Sequence, residues 1–191
     1  MTEMDGEKIK QNKGLNKLYG KLAQILDGLW FLETEKRLGF EKAYEIDEAV
    51  WSVFGRKEAD RILKFLGLKK GKVMISDLPK ILQLSLFNQS IKYEFNTPER
   101  EKGSDGNFRI FRFRVIDCKT YKGMEKVKRP PLQIRRICEG IGLVFYKNML
   151  DELFPGSIVS CISCPYHDND STKDPTQICT WEFRIPVKYE T

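Results

Sequence analysis

The side chains of this 191-residue chain best suited to chemistry are its five cysteines, all beyond residue 117: Cys118, Cys138, Cys161, Cys164 and Cys179. Cys161-Ile162-Ser163-Cys164 is a pair two residues apart, followed by Pro165. A short turn of this kind can present both sulfurs to one soft metal ion at tetrahedral angles. Residues three apart on a regular strand point to opposite faces, so convergence requires the strand to end or bulge there. Pro165 favours that by removing a ladder donor. Cys161 and Cys164 are therefore expected at the centre of any site, joined by Cys179 and one of Cys118 or Cys138. Zinc is the ion expected at a tetrahedral thiolate site, with an iron–sulfur cluster as the alternative. Taken singly, Cys138 and Cys179 also read as small buried hydrophobes, because they share apolar stripes with Ile141 and Trp181.

His167 is the only histidine, three residues beyond Cys164, in a run that holds Asp168, Asp170 and Asp174. The plain reading is a solvated loop; the sharper one is a ligand-binding or metal-binding imidazole, or a proton shuttle. Any Cys-His or Ser-His-Asp arrangement must run through it. No nucleophile elbow, Walker motif or dinucleotide-binding glycine loop accompanies it. Gly140-Ile141-Gly142 falls inside a helical stripe, where it suits close packing. The stretch from Lys119 to Arg136 is basic. It reads first as a solvated face, and second as a site where Arg129, Arg135 and Arg136 grip a carboxylate or phosphate. Nucleic acid is not the expected partner, because aromatics are not interleaved with these charges.

Composition sets the bounds. Hydrophobic residues make up 41% and aromatics 12%, as in a folded globular protein. Lys and Arg outnumber Asp and Glu by 33 to 27, a mild excess that permits an anionic ligand without demanding one. Met1 to Lys13 is polar and unlike a signal peptide, and no apolar stretch nears the roughly 20 residues of a membrane span. The expected setting is soluble and cytoplasmic, where thiols stay reduced and an odd cysteine count is no difficulty.

These residues need elements to position them. Leu15, Leu18, Leu22, Ile25, Leu29 and Leu32 recur at helical spacing with Trp30 and Phe31 alongside, and Gly39 stops that helix. A second helix opens at Phe40 with an apolar face of Ala43, Ile46, Val50, Trp51 and Phe54. Arg56 to Leu66 reads as a third, stopped by Gly67, and Ser76 to Leu86 as a fourth with Pro79 in its first turn. Trp30, Trp51 and the neighbouring phenylalanines at helical spacing read as core. Beyond Ser90 the pattern alternates: a strand over Ile91 to Phe95, a hairpin loop over Glu99 to Asn107, and a long strand over Phe108 to Cys118. A basic loop then leads to a helix from Pro130-Pro131 to Phe154, a strand over Ser157 to Cys164, a polar loop over His167 to Thr176, and a final strand over Gln177 to Val187. The expected class is α+β: a helical N-terminal region (residues 1–88), then an antiparallel sheet with a long helix packed on it (residues 89–191).

The series Asp117-Cys118, Arg129-Pro130-Pro131, Cys138 to Gly142, Cys161 to Pro165 and Cys179-Thr180-Trp181-Glu182-Phe183 resembles an uncharacterised family of prokaryotic cytosolic proteins. So does Asp27-Gly28-Leu29-Trp30-Phe31 with Glu35 and Gly39. The later part is similar, more distantly, to the 4-vinyl reductase domain, a small-molecule-binding α+β module. The resemblance implies a ligand-binding fold and a functional role for the cysteines. The reading that follows is a metal-bearing small-molecule-binding or sensor protein, without an enzyme signature. The alternative is a thiol-redox enzyme, or a metal-dependent hydrolase or reductase, using Cys161, Cys164 and His167. A homodimer through the helical half or an edge strand is the expected assembly, if one forms.

Overall fold

The computed structural model describes residues 3–95, 99–100, 107–164, 166 and 179–190. Two long helices open the chain, α1 (Glu3–Leu38) and α2 (Phe40–Leu66), and Gly39 separates them at φ 82°, a conformation L side chains rarely adopt. α2 runs unbroken where the sequence suggests two helices. Gly55 lies within it, and a Cβ there would stand 2.6 Å from the Phe145 carbonyl oxygen. That glycine brings two helices together and stops neither. Gly67, left-handed at φ 67°, ends α2 as expected.

The helix expected from Ser76 to Leu86 is shorter. It begins as a 3₁₀ turn (Ile75–Asp77), continues as α3 (Leu78–Leu84), and ends before a second 3₁₀ turn (Phe87–Ser90). Among the described residues the strands are β1 (Ile91–Phe95), β2 (Glu99–Arg100), β3 (Phe108–Cys118), β4 (Ile158–Ser163) and β5 (Cys179–Pro186). They form one antiparallel sheet in the order β1-β3-β5-β4, with β2 beside the first residues of β3. Glu99 and Arg100 are thus strand where a loop is expected, and 101–106 lie outside the described residues. The basic stretch after Cys118 is not a loop either. It is the helix α4 (Lys119–Lys126), whose first turn is capped by the Cys118 sulfur accepting the Tyr121 N–H at 3.4 Å.

The long helix over the sheet comes in three parts without a break: α5 (Pro131–Arg135), a π-helical turn (Arg136–Ile141) and α6 (Gly142–Leu153). α6 lays Tyr146 across Phe113, Trp181 and Phe183 of the sheet, with ring centroids 5.0–5.4 Å apart. Its other side meets α2, where Trp51 stands edge-on to Phe145 at 5.6 Å. The layers are sheet, α6 and the α1–α2 pair. One core runs through them, from Ala59, Ile62 and Leu78 in the helical half to Phe111, Met149 and Ile185 in the other. The opposite sheet face is charged: Glu182 takes Arg112 at 2.6 Å and Arg184 at 3.0 Å, and Arg114 pairs with Glu94 at 2.9 Å.

α1 departs most from expectation. It rests against α2 and the second 3₁₀ turn. The residues it turns inward are small or polar, with Gly20 buried and Ala23, Gln24, Asp27, Phe31 and Glu35 half-buried. The leucine stripe points away, its six side chains 43–58% exposed, and Trp30 is not core but 71% exposed. Periodicity identifies the stripe and cannot say which side of the helix meets the body.

Seating α6 on the sheet depends on Gly142, where a Cβ would approach the Trp181 ring to 2.5 Å. Gly142→Val should cost about 1–3 kcal/mol of stability by overpacking, read as a lower denaturation midpoint. Gly123→Ala in α4, where a Cβ meets nothing within 4 Å, should gain roughly 0.5–1 kcal/mol by helix propensity.

Candidate functional site

Two bulges sit at the same end of the sheet. On β3, Ile116 is the extra residue between Val115, opposite Tyr93, and Asp117, opposite Lys92. On β4, Ile162 is extra between Cys161, opposite Trp181, and Ser163, opposite Thr180. A bulge re-aims the side chains after it. Here it brings Cys164 into hydrogen-bonding reach of Cys161, whose sulfur also lies 3.2 Å from the Ser163 carbonyl. Cys179 begins β5 opposite Val115, and so shares the inward face. The π-helical turn covers this end of the sheet and carries Cys138; irregular turns of this type recur at functional sites.

The five thiols therefore gather where β3, β4, β5 and the π turn meet. Burial holds the Cys138 thiol far above its ordinary value, and Cys164, Cys118 and Cys179 add to the shift by mutual repulsion of their thiolates. Cys179 is raised by burial, then by Cys118 and Cys164. Cys161 is raised by its hydrogen bond with Cys164 and then by burial. Burial also raises Cys118, partly offset by the N–H groups of Tyr121 and Thr120. All four are thiols at neutral pH, the opposite of what a nucleophilic or attacking cysteine needs. Among the described residues, no three or more His, Cys, Asp or Glu side chains stand close enough together to hold a metal ion as they are. His167 and the aspartates of its loop lie outside the described residues.

Cys118, Cys138 and Cys179 line one wall of a cavity of ≈320 Å³ between the sheet end and the α1–α2 pair. Val115, Ile137, Ile141, Tyr146 and Trp181 continue that wall; Trp51, Phe54, Leu86 and Phe87 face it. Glu58 fixes the Leu86 side by accepting the Leu86 N–H at 2.5 Å and the Ser85 hydroxyl at 2.8 Å. The mouth is edged by Leu26 and Trp30 of α1 and Val50 of α2. Thr120, Tyr121 and Gln24 supply polar groups nearby, and two carboxyls, Asp27 and Asp47, complete the lining.

Burial pushes Asp27 up to about 6, against a hydrogen bond from Trp51 that lowers it. Burial pushes Asp47 up to about 7, with repulsion from Asp27 adding and the Trp51 indole again opposing. Among the described residues, neither has a basic partner. Sequence reading overlooks this pair. The only signal is an Asp in register with Gly20, Ala23 and Phe31, and that register matters only once it is known to face inward.

The three candidate arginines stand elsewhere. Arg129 grips Glu35 of α1 with both terminal nitrogens, at 2.8 and 2.6 Å, beneath the Phe31 and Phe40 rings. Arg136 holds both oxygens of Glu41, at 2.7 and 2.8 Å, over Tyr44. Arg135 holds Glu139 at 3.0 Å. None of the three lines the cavity. Arg129 and Arg136 tie α1 and α2 to the segment that carries Cys138.

The chain belongs to a family of unknown function (DUF6125), whose profile matches residues 11–185. This agrees with the resemblance to an uncharacterised family. No curated protein and no solved structure matches the chain. No helix among the described residues is long and apolar enough to cross a membrane.

The two carboxyls set a pH dependence. Their folded-state values lie above the ordinary one, so between about pH 4 and 7 the folded chain holds more protons than the unfolded chain, and their contribution to stability falls as pH rises. Asp47→Asn removes the larger share. It should raise the melting temperature at pH 8, by about 2–4 °C for each kcal/mol recovered, and the gain should shrink steadily as the pH is lowered to 4. A thermal-shift series in pH checks this.

Proposed function

We propose that this protein binds a small, largely apolar molecule in the cavity between the α1–α2 pair and the cysteine end of the sheet, and acts as a binding or sensor module without covalent chemistry of its own. The observation that carries this reading is the cavity itself. Its volume lies within the range of ligand pockets, and its walls are aromatic and aliphatic with a few convergent polar groups. Protonated, half-buried thiols suit such a wall, because a thiol packs as a small hydrophobe. Asp27, Asp47, Thr120 and Tyr121 offer the hydrogen bonds that would orient a polar end of the guest. The resemblance to the 4-vinyl reductase domain, a small-molecule-binding module, points the same way. An anionic guest fits this lining poorly: the carboxyls border the cavity, while the three arginines are paired with carboxylates away from it.

The test uses N-phenyl-1-naphthylamine, an uncharged apolar fluorophore. One saturable site per chain is expected, with emission excited through Trp51 and Trp181. Val50→Trp narrows the mouth at a half-exposed position and should weaken binding at least tenfold while the fold is retained. Absence of saturable binding, or affinity unchanged by Val50→Trp, contradicts the reading.

A second reading is carried by a different observation, the gathering of five thiols at one end of the sheet, with Cys138, Cys161 and Cys179 each held protonated in part by neighbouring sulfurs. A cation would relieve the repulsion among thiolates, and zinc is the natural one for reduced sulfur. The described side chains do not form a ready ligand set, so uptake would require Cys161 and Cys164 to turn toward Cys179 and Cys138 or Cys118. Zinc titration of metal-free, reduced protein against a chromophoric chelator decides. One equivalent, lost with Cys164→Ser together with several degrees of melting temperature, supports the site. Less than about a tenth of an equivalent removes it.

A further inference from the structure

The outward side of α1 is built for another helix. Leu15, Leu18, Leu22, Ile25, Leu29 and Leu32 alternate steps of three and four residues, the 3.5-residue period of a coiled-coil seam. At 100° per residue the seam is centred roughly 180° from the inward face of Gly20, Ala23, Asp27 and Phe31, so among the described residues the body of the same chain leaves it uncovered. Tyr19, Leu26 and Trp30 extend it along one flank, and all nine side chains are exposed. Together they present an apolar surface on the order of 1,000 Å², well above what monomers usually leave uncovered and close to the ~800 Å² per partner of a stable interface.

We infer that the leucine seam of α1 is the contact between two copies of this chain, packed antiparallel about a two-fold axis between Leu22 and Ile25. In that register Leu15 lies over Leu32 of the second copy, Leu18 over Leu29, and Leu22 over Ile25, so that every layer is apolar. The orientation follows from the flanks. Antiparallel pairing sets Tyr19 and Leu26 of one copy beside Leu26 and Tyr19 of the other, and leaves the Gly14, Lys21 and Gly28 side to solvent. Parallel pairing would oppose Leu26 to Lys21 and Tyr19 to Gly14. The Leu26 flank borders the cavity mouth, with Trp30 next to it. The second copy's Tyr19 therefore covers that mouth, and each cavity is completed by the other chain. The dimer stands on the seam alone and does not depend on what the cavity holds.

Sedimentation equilibrium of the full chain, from micromolar to several hundred micromolar, tests the inference. The expected mass is twice 22.3 kDa. Leu22→Glu with Leu29→Glu should give a monomer, and because both positions are already half exposed its circular dichroism should stay unchanged. Phe65→Glu, a change at an exposed position on α2 away from the seam, should leave the dimer intact. A monomeric wild type, or a dimer that survives the double substitution, overturns the inference. Flotation with phosphatidylglycerol vesicles covers the other occupant: a wild type that is monomeric in solution and binds vesicles through the seam reassigns this face to lipid and equally overturns it.

Discussion

The packing of the π turn and α6 onto Trp181 is the constraint on which the rest depends. Gly142 lets the helix backbone settle against the indole, and Tyr146, one turn on, stacks its edge on the same ring and donates its hydroxyl to Asn88 at 2.6 Å. With α6 held there, Phe145 faces outward to meet Trp51, Phe54 and Phe87. The helix thus has aromatic contacts on both sides, and α2 is carried on it as a third layer. The cavity lies ahead of this contact, where the helix changes from π to α geometry and the strands bulge. Neither the sheet nor the helix pair closes that end with regular packing.

Polar residues then determine how the space is edged. Arg129 and Arg136 clamp the helix pair to the segment ahead of α6, and Glu58 holds the Leu86–Phe87 side. The Arg129–Glu35 pair is half-buried with good geometry, and removing one partner would strand a charge. The carboxyls of Asp27 and Asp47 have no such partner among the described residues. An apolar space with acids that lack a basic partner, and protonated thiols at its margin, resembles a binding pocket more than a core defect, because burying such groups in a core is costly.

Much of the architecture was legible in the sequence. Alternation placed β3 at Phe108–Cys118 to the residue and set Phe111, Phe113 and Val115 against Arg112 and Arg114. Strand geometry required the strand to end or bulge between Cys161 and Cys164 if their sulfurs were to converge, and the register shifts between Cys161 and Ser163, where the strand also ends. Less legible were features set by tertiary contact. α4 is a short helix of basic residues whose cap is a cysteine, an unusual capping type. α2 is continuous because Gly55 serves a neighbour. The site was only half legible. The cysteines stand out by type, whereas Asp27, Asp47 and Trp51 become a site only when two helices are laid side by side, and the arginines that look free in sequence are satisfied by Glu35, Glu41 and Glu139.

The fold holds open an apolar space at the cysteine end of the sheet. A crystal structure under xenon pressure tests it most directly, since dry apolar cavities take up xenon and polar or collapsed ones do not. Xenon density is expected between Trp51, Ile141 and Trp181, with the lining side chains unmoved. A cavity filled by the inward collapse of Trp30 or Phe87, or one free of xenon with an ordered water network in its place, would contradict it.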